Sequence, residues 1–273
     1  MIEITIGIAA ITMFGMAVIM SYILGWANIK FHVEVDERVE SVLEVLPGAN
    51  CGGCGYLGCS EYAVAIATEN APVNRCPVGG ENCAIQIASI MGVDVGKSVP
   101  SRPVIHCGAN LKDRLGRTEY KGESRCAAAN LVAGIQGCTF GCLGFGDCVI
   151  ACKYDAMHIV EGLATVDYNK CIGCGACVKA CPRSIISMAD FNEDKIPSVL
   201  CSNMDKGKDV TTVCNRGCIG CKACVKVTDL FSMERDLARS NHSLYVSEQE
   251  GAALEAAKKC PSNCIGFVGR NPG

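Results

Sequence analysis

Cys171, Cys174, Cys177 and Cys181, with Pro182 directly after, stand at the intervals C-x2-C-x2-C-x3-C-P. Thiolates separated by two small residues (Ile172 and Gly173, Gly175 and Ala176) converge on one cube of iron and sulfide, and the tight loop leaves backbone N–H groups free to bond the cube's sulfurs. In such a run three thiolates grip one cluster and the fourth reaches to another, so a partner run is expected. Cys138, Cys142, Cys148 and Cys152 provide it, stretched to C-x3-C-x5-C-x3-C. Cross-ligation then predicts one cluster on Cys138, Cys142, Cys148 and Cys181, and a second on Cys171, Cys174, Cys177 and Cys152. Gly141, Gly144 and Gly146 are expected to absorb the extra length through unusual backbone angles. The chemistry of such sites is one-electron transfer.

Two further sets bring the cysteines so used to sixteen of 22. Cys218, Cys221 and Cys224 repeat the first three positions of a run, and Cys260-Pro261 repeats the last position of its companion. Thr228, Glu250, Ala253 and Ala256 stand where the remaining four cysteines of a full pair belong. Those four all serve one cluster, so this segment reads as a degenerate ferredoxin module whose other set, Cys218, Cys221, Cys224 and Cys260, is complete. Nearer the N-terminus, Cys51, Cys54, Cys59 and Cys76 form C-x2-C-x4-C with a distant fourth cysteine, which suits a cube held by a glycine-rich loop. Structural zinc also takes four thiolates, but explains neither the C-x2-C-x2-C triplets nor the clean loss of one ligand set. Disulfides suit short secreted chains, whereas this one is long and has no cleavable signal.

The elements that position these thiols give an α+β chain. Ile4 to Ile29 runs 26 residues without a charge, which as a helix spans roughly 39 Å against a bilayer core of about 30 Å. A single N-terminal transmembrane helix is therefore expected, with Tyr22 and Trp26 at its interfacial end. Apolar positions at Val35, Val39, Val42, Leu43 and Leu46 predict an amphipathic helix over 31–46, ended by Pro47-Gly48. Helices are expected over 61–68 and 81–91, a hairpin over 159–167, and strands over 103–107 and 197–201. The predicted organisation is an anchor over 1–29, a single-cluster domain over 30–100, a connector over 101–137, and a two-cluster ferredoxin module over 138–190. A second connector over 191–217 leads to the degenerate module over 218–273.

Six cysteines remain. Cys83 and Cys264 read as small buried hydrophobes. Cys107, Cys126, Cys201 and Cys214 all lie in connectors and read either as a further metal centre or as buried thiols. His32, His106, His158 and His242 show no metal-ligand spacing and are expected to have surface or capping roles. Lys112, Arg114, Arg117, Lys121 and Arg125 make a basic stretch, read as a solvated loop in preference to a dock for an acidic partner. A net charge of −3 argues against nucleic acid. No phosphate-binding G-x-x-x-x-G-K-[ST] loop is present, and a single span without an internal charge makes no ion path by itself.

The string VESVLEVLPGANCGGCGYLGC after a membrane helix, then GCLGFGDCVIACKYDAM and CIGCGACVKACP, resembles the B subunits of Rnf complexes, membrane ion-translocating ferredoxin:NAD oxidoreductases. CSNMDKGKDVTTVCNRGCIGCKACVK resembles the C-terminal extension of their longer clostridial-type versions, departing from it by one missing cluster. The resemblance implies an electron-transfer subunit with no catalytic acid–base residue. It implies soluble ferredoxin as donor, other membrane and NAD-binding subunits as partners, and four 4Fe-4S clusters on the cytoplasmic side of a bacterial inner membrane. The competing readings are a ferredoxin-like subunit of another membrane redox complex, or a corrinoid or reductive-activator iron–sulfur protein with a similar CGGCG loop.

Overall fold

The computed structural model describes residues 2–31, 36–96 and 99–270; the side chains of residues 2–5 and 9 fall outside that description. Helix α1 (Ile2–Lys30) covers the uncharged run, and its apolar side chains from Ile11 to Ile29 are exposed along its length. Its 25-residue stretch Ile6–Lys30, with mean hydropathy 2.1, is long and apolar enough to cross a membrane. Of the helix expected over 31–46, residues 32–35, His32 among them, lie outside the described residues. The rest is α2 (Glu37–Val45), which starts where the Asp36 carboxylate accepts a hydrogen bond from Arg38 N–H.

Helices α2, α3 (Cys59–Glu69) and α4 (Gly80–Met91) close one small core, in which Val42, Tyr62, Ile66 and Ile87 are all 2% exposed or less. Tyr62 ties it to the following loop, donating its hydroxyl proton to Pro72 O at 2.6 Å and accepting from Arg75 N–H at 3.1 Å.

The remaining chain folds as two halves with the same order of strands. The first contains β1 (Ser101–Ile105), α5 (Cys126–Ala129), α6 (Asp147–Ile150), β2 (Met157–Val160), β3 (Leu163–Val166), α7 (Ala176–Ala180) and β4 (Ile186–Asp190). The second contains β5 (Lys195–Val199), α8 (Gly207–Val213), β6 (Phe231–Glu234), β7 (Leu237–Ser240), α9 (Glu250–Lys258) and β8 (Ile265–Gly269). In each half the first strand pairs antiparallel with the last, β1 with β4 and β5 with β8, and the middle two strands form a hairpin. The β2–β3 turn is Glu161-Gly162, with φ of 48° and 73°; the left-handed backbone at both positions matches the twist of a two-residue hairpin.

Strands β1 and β5 begin and end two residues earlier than their apolar spacing suggests. After Ile105 the chain is still held by His106 N–H donating to Ile185 O, but Gly108 N–H then bonds Leu200 O of the other half. Cys107 and Cys201 thus lie two residues beyond a strand, where the two halves meet. Val104, Tyr168 and Phe191 of the first half share one core with Ile196, Val199, Leu230, Phe231 and Leu237 of the second. The stretches read as connectors therefore carry β1, α5, β5 and α8, and they pack.

Candidate metal centres

The N-terminal thiol loop sits at the start of α3. Asn50, in the left-handed region at φ 44°, turns its side-chain oxygen onto Cys59 N–H at 2.8 Å, which folds the loop back over the helix. Cys51, Cys54, Cys59 and Cys76 line one hollow there, and Gly79 N–H points at Cys76 Sγ at 3.3 Å. In the C-terminal half Cys218, Cys221, Cys224 and Cys260 line another, with Ala238 N–H 3.5 Å from Cys218 Sγ. Cys171, Cys174, Cys177 and Cys152 gather in the first half: burial, together with the neighbouring Cys171, Cys174 and Cys152 sulfurs, pushes the Cys177 thiol up to about 12.

The third expected quartet is redrawn. Cys142, Cys148 and Cys181 do line one hollow, but the fourth thiol is that of Cys126; Cys138 is not among the lining residues. Asp147, buried beside Cys148, brings Cys126 there. Its carboxylate accepts from Cys126 N–H at 3.0 Å, Ala127 N–H at 2.9 Å and Arg125 Nε at 2.9 Å, so the first turn of α5 is pinned to α6. Burial works against the ionised carboxyl, but these donors outweigh it and hold the group below the usual carboxylate range. Cys138 lies instead in a separate hollow with Cys107, Cys201 and Cys214. The expected extra set Cys107, Cys126, Cys201 and Cys214 is therefore also not assembled as such: its Cys126 and the other quartet's Cys138 exchange places.

A signal for the exchange is present in the chain. Laid over Cys218-x2-Cys221-x2-Cys224, the segment from Cys142 to Cys148 has equal length and places Phe145 where Cys221 stands. It is thus a C-x2-C-x2-C-x3-C run without its second cysteine, and Cys138 matches Cys214, four residues upstream. Phe145 packs against the Tyr120 ring, with centroids 5.2 Å apart, which leaves room for Cys126 to enter from the side.

Among the described residues no three His, Cys, Asp or Glu side chains crowd closely enough to hold a single metal ion. A tetrahedral zinc, at about 2.3 Å per Zn–S bond, needs sulfurs within about 4 Å of one another. Quartets of thiols that line a common hollow fit a cube. Burial also lifts the Cys148 and Cys201 thiols to about 12, so these two favour S–H, and metal binding there must release their protons.

Other side chains take structural places. Cys83 is buried in α4 with its thiol 3.6 Å from Val45 O. Cys264, 2% exposed, stands 3.5 Å from Cys260 Sγ; hydrogen bonding to the Cys218 and Cys260 sulfurs, together with burial, holds it firmly as a thiol. His106 is half-buried and bonded on both ring nitrogens: Nδ1 meets Val199 O at 3.1 Å and Nε2 meets the Ser187 hydroxyl at 2.7 Å. The basic stretch is not one surface either, since Arg114 is buried and Arg125 is held by Asp147.

Three family profiles match along the chain: a putative Fe-S cluster domain over residues 46–78, a 4Fe-4S binding domain over 164–187, and a 4Fe-4S single cluster domain of ferredoxin I over 213–267. The B subunit of the Na(+)-translocating ferredoxin:NAD(+) oxidoreductase complex of Acetobacterium woodii is 41% identical over 241 residues, covering 86% of this chain and 70% of the relative. The chain belongs to the family of Rnf complex B subunits. The B subunit of the ion-translocating oxidoreductase complex of Methanosarcina acetivorans is 40% identical over 205 residues, 74% of this chain and 77% of the relative. Its counterpart in the proton-translocating ferredoxin:NAD(+) oxidoreductase complex of Clostridium ljungdahlii is 35% identical over 252 residues, 90% and 87%. Membership in this family makes the chain an electron-transfer iron–sulfur subunit of a membrane-bound Rnf oxidoreductase complex, carrying several clusters.

Proposed function

We propose that this chain carries 4Fe-4S clusters on at least four thiol quartets: Cys51, Cys54, Cys59 and Cys76; Cys152, Cys171, Cys174 and Cys177; Cys126, Cys142, Cys148 and Cys181; and Cys218, Cys221, Cys224 and Cys260. A bound cubane supplies a one-electron couple. The protein's own part is to bury the thiols, aim N–H groups at their sulfurs and set the neighbours close together. The N-terminal domain meets the first half at Gly53, where a Cβ would come within 3.3 Å of the Cys174 backbone. Tyr154 feels both the Cys174 and Cys152 sulfurs and those of Cys51 and Cys76. The exposed thiols, Cys51 and Cys221, belong to the two outer quartets, which makes those the surfaces for exchange with partners.

Reduced ferredoxin is proposed as the donor and the membrane subunits as receivers, with α1 crossing the bacterial inner membrane once and the cluster domains on the cytoplasmic side. Lys30 and Arg38 follow the span, against Glu3 before it, which agrees with that orientation. The observation that carries the cluster reading is that three of these quartets each line one hollow, at Cys51, at Cys126 and at Cys218. Anaerobic metal and sulfide analysis of the full chain tests it: iron and acid-labile sulfide in equal amounts, at least about 16 each, are expected. Zinc without sulfide sinks the reading. Oxidation of reduced ferredoxin by the assembled complex, lost in a Cys54→Ser and Cys59→Ser double variant, tests the donor.

A further inference from the structure

The thiols outside those quartets include four that the structure gathers at the seam between the two halves. Cys107, Cys138, Cys201 and Cys214 line one hollow, and all four are buried. The geometry points to a fifth 4Fe-4S site here, with two ligands from each half, lying between the Cys126 quartet and the Cys218 quartet. It rests on reading those neighbours as cluster ligands.

Every sulfur of the four already faces an N–H donor. Cys107 Sγ receives Cys142 N–H at 3.4 Å, Cys138 Sγ the Asn203 side-chain amide at 3.6 Å, and Cys214 Sγ Arg216 N–H at 3.4 Å. Cys201 Sγ receives both Asn203 N–H at 3.5 Å and Cys218 N–H at 3.3 Å. Such donors stabilise thiolate over thiol. Idle core cysteines need none of them.

The hollow is also short of negative charge. Arg114, 5% exposed, lines it; its Nε and Nη2 both donate to Ala109 O, at 3.0 and 2.7 Å, and its Nη1 has no partner. Arg216 lines it as well, and its buried Nε is unpartnered although Nη2 reaches Asn263 O at 3.0 Å. A buried guanidinium N–H without an acceptor costs free energy. Four thiolates around a cube carry net negative charge and provide the acceptors.

The two halves build this site in the same way. Cys138-Thr-Phe-Gly-Cys142-Leu-Gly144 and Cys214-Asn-Arg-Gly-Cys218-Ile-Gly220 share their spacing. Cys107 and Cys201 each follow a first strand by two residues, and each receives the N–H of the next quartet's leading cysteine, Cys142 or Cys218. Leu115 ties the other two ligands together, donating its N–H to Val213 O and accepting from Gly137 N–H with its own carbonyl. The hydrogen bonds from Cys142 and Cys218 place the hollow against both neighbouring quartets, so a cluster here joins the C-terminal centre to the other three.

The test uses the full chain, purified anaerobically in detergent. About 20 iron and 20 sulfide per chain are expected, falling to about 16 in a Cys107→Ala and Cys201→Ala double variant. Loss of the centre should also narrow the EPR signals of its two neighbours, which spin coupling broadens. Arg114→Gln should keep the iron and lower the midpoint potential of one centre, because removing a nearby cation disfavours the more negative reduced state. Should the double variant fail to fold, that potential decides, and unchanged potentials at every centre overturn the proposal. About 16 iron in both wild type and double variant overturns it while leaving the four quartets standing, as does a single zinc released by the double variant. Absence of iron altogether fails both readings.

Discussion

The halves spanning 101–190 and 195–269 follow one plan and lack different ligands. In the first, Phe145 stands at the place of Cys221, and Cys126, at the start of α5 and sixteen residues before Cys142, fills the hollow. In the second, Thr228 stands at the place of Cys152, and α9 occupies the part of the fold that carries Cys171, Cys174 and Cys177 in the first, with Ala253 and Ala256 fully buried. What both keep is the frame: Ala164 N–H bonds Cys142 as Ala238 N–H bonds Cys218, and a left-handed glycine follows each leading cysteine by two residues. A ligand is therefore a point in space that any nearby segment can supply. The backbone donors around that point are built into the repeat.

The largest expected effect comes from breaking the borrowed ligand. Cys126→Ser should degrade the cluster of the Cys142, Cys148 and Cys181 hollow, with loss of up to about four iron, whereas Cys138→Ser should leave that cluster intact and disturb the seam site. EPR of the two variants tells them apart; the reverse assignment restores Cys138 as the ligand. Adding Phe145→Cys to Cys126→Ser recreates the spacing of the second half and should regain the lost iron. A double variant as poor in iron as Cys126→Ser alone would show that the frames differ at that point.

How far the chain can be read from its residues alone follows the same division. Thiols close in sequence are legible, because two intervening residues fix how far apart sulfurs fall; so are the hairpin, marked by Gly162, and helices α3 and α4, which lie within two residues of their expected ends. Cys126 joins a different quartet from the expected one because its position depends on Asp147, 21 residues away, through hydrogen bonds that leave no spacing behind. The pairing of β1 with β4 and of β5 with β8 depends likewise on contacts across a whole half. His106, expected at the surface or in a capping role, is half-buried with both ring nitrogens bonded, and nothing local announces that Val199 and Ser187 will face it.

A smaller effect probes the shared frame. Gly144 has φ +81° and a Cβ there would run into the Gly162 carbonyl; Gly220 has φ +69° and its Cβ would meet Asp236 O at 2.8 Å. Alanine at either should cost about 3 kcal/mol, from strained backbone plus the clash with the hairpin turn. Gly251 in α9 faces open space, so alanine there should add up to about 1 kcal/mol of stability. Denaturant midpoints of the three variants under anaerobic conditions check this. Equal losses at all three positions would mean that the two loops are not held against their hairpins.

The smallest effect concerns the seam and depends on pH. His242 belongs to the second half, lies against β4 of the first and β5 of its own, and meets the Ser198 hydroxyl at 3.4 Å. Burial lowers its pKa to about 4, with the neighbouring His106 pushing in the same direction and Asp190 opposing. The unfolded chain takes up a proton near the ordinary histidine value of 6.5, whereas the folded chain takes it up only near 4. Between those values the unfolded state binds more protons, so stability falls as pH drops through that window, by no more than about 1.4 kcal/mol per pH unit, the limit for one proton. Above 6.5 the group contributes no slope. His242→Gln should flatten the decline between pH 6.5 and 4 while leaving the behaviour at about pH 8 within about 1 kcal/mol of wild type. An unchanged slope in that variant would mean that His242 is open to water, and that the two halves are less tightly joined beside it than their shared core implies.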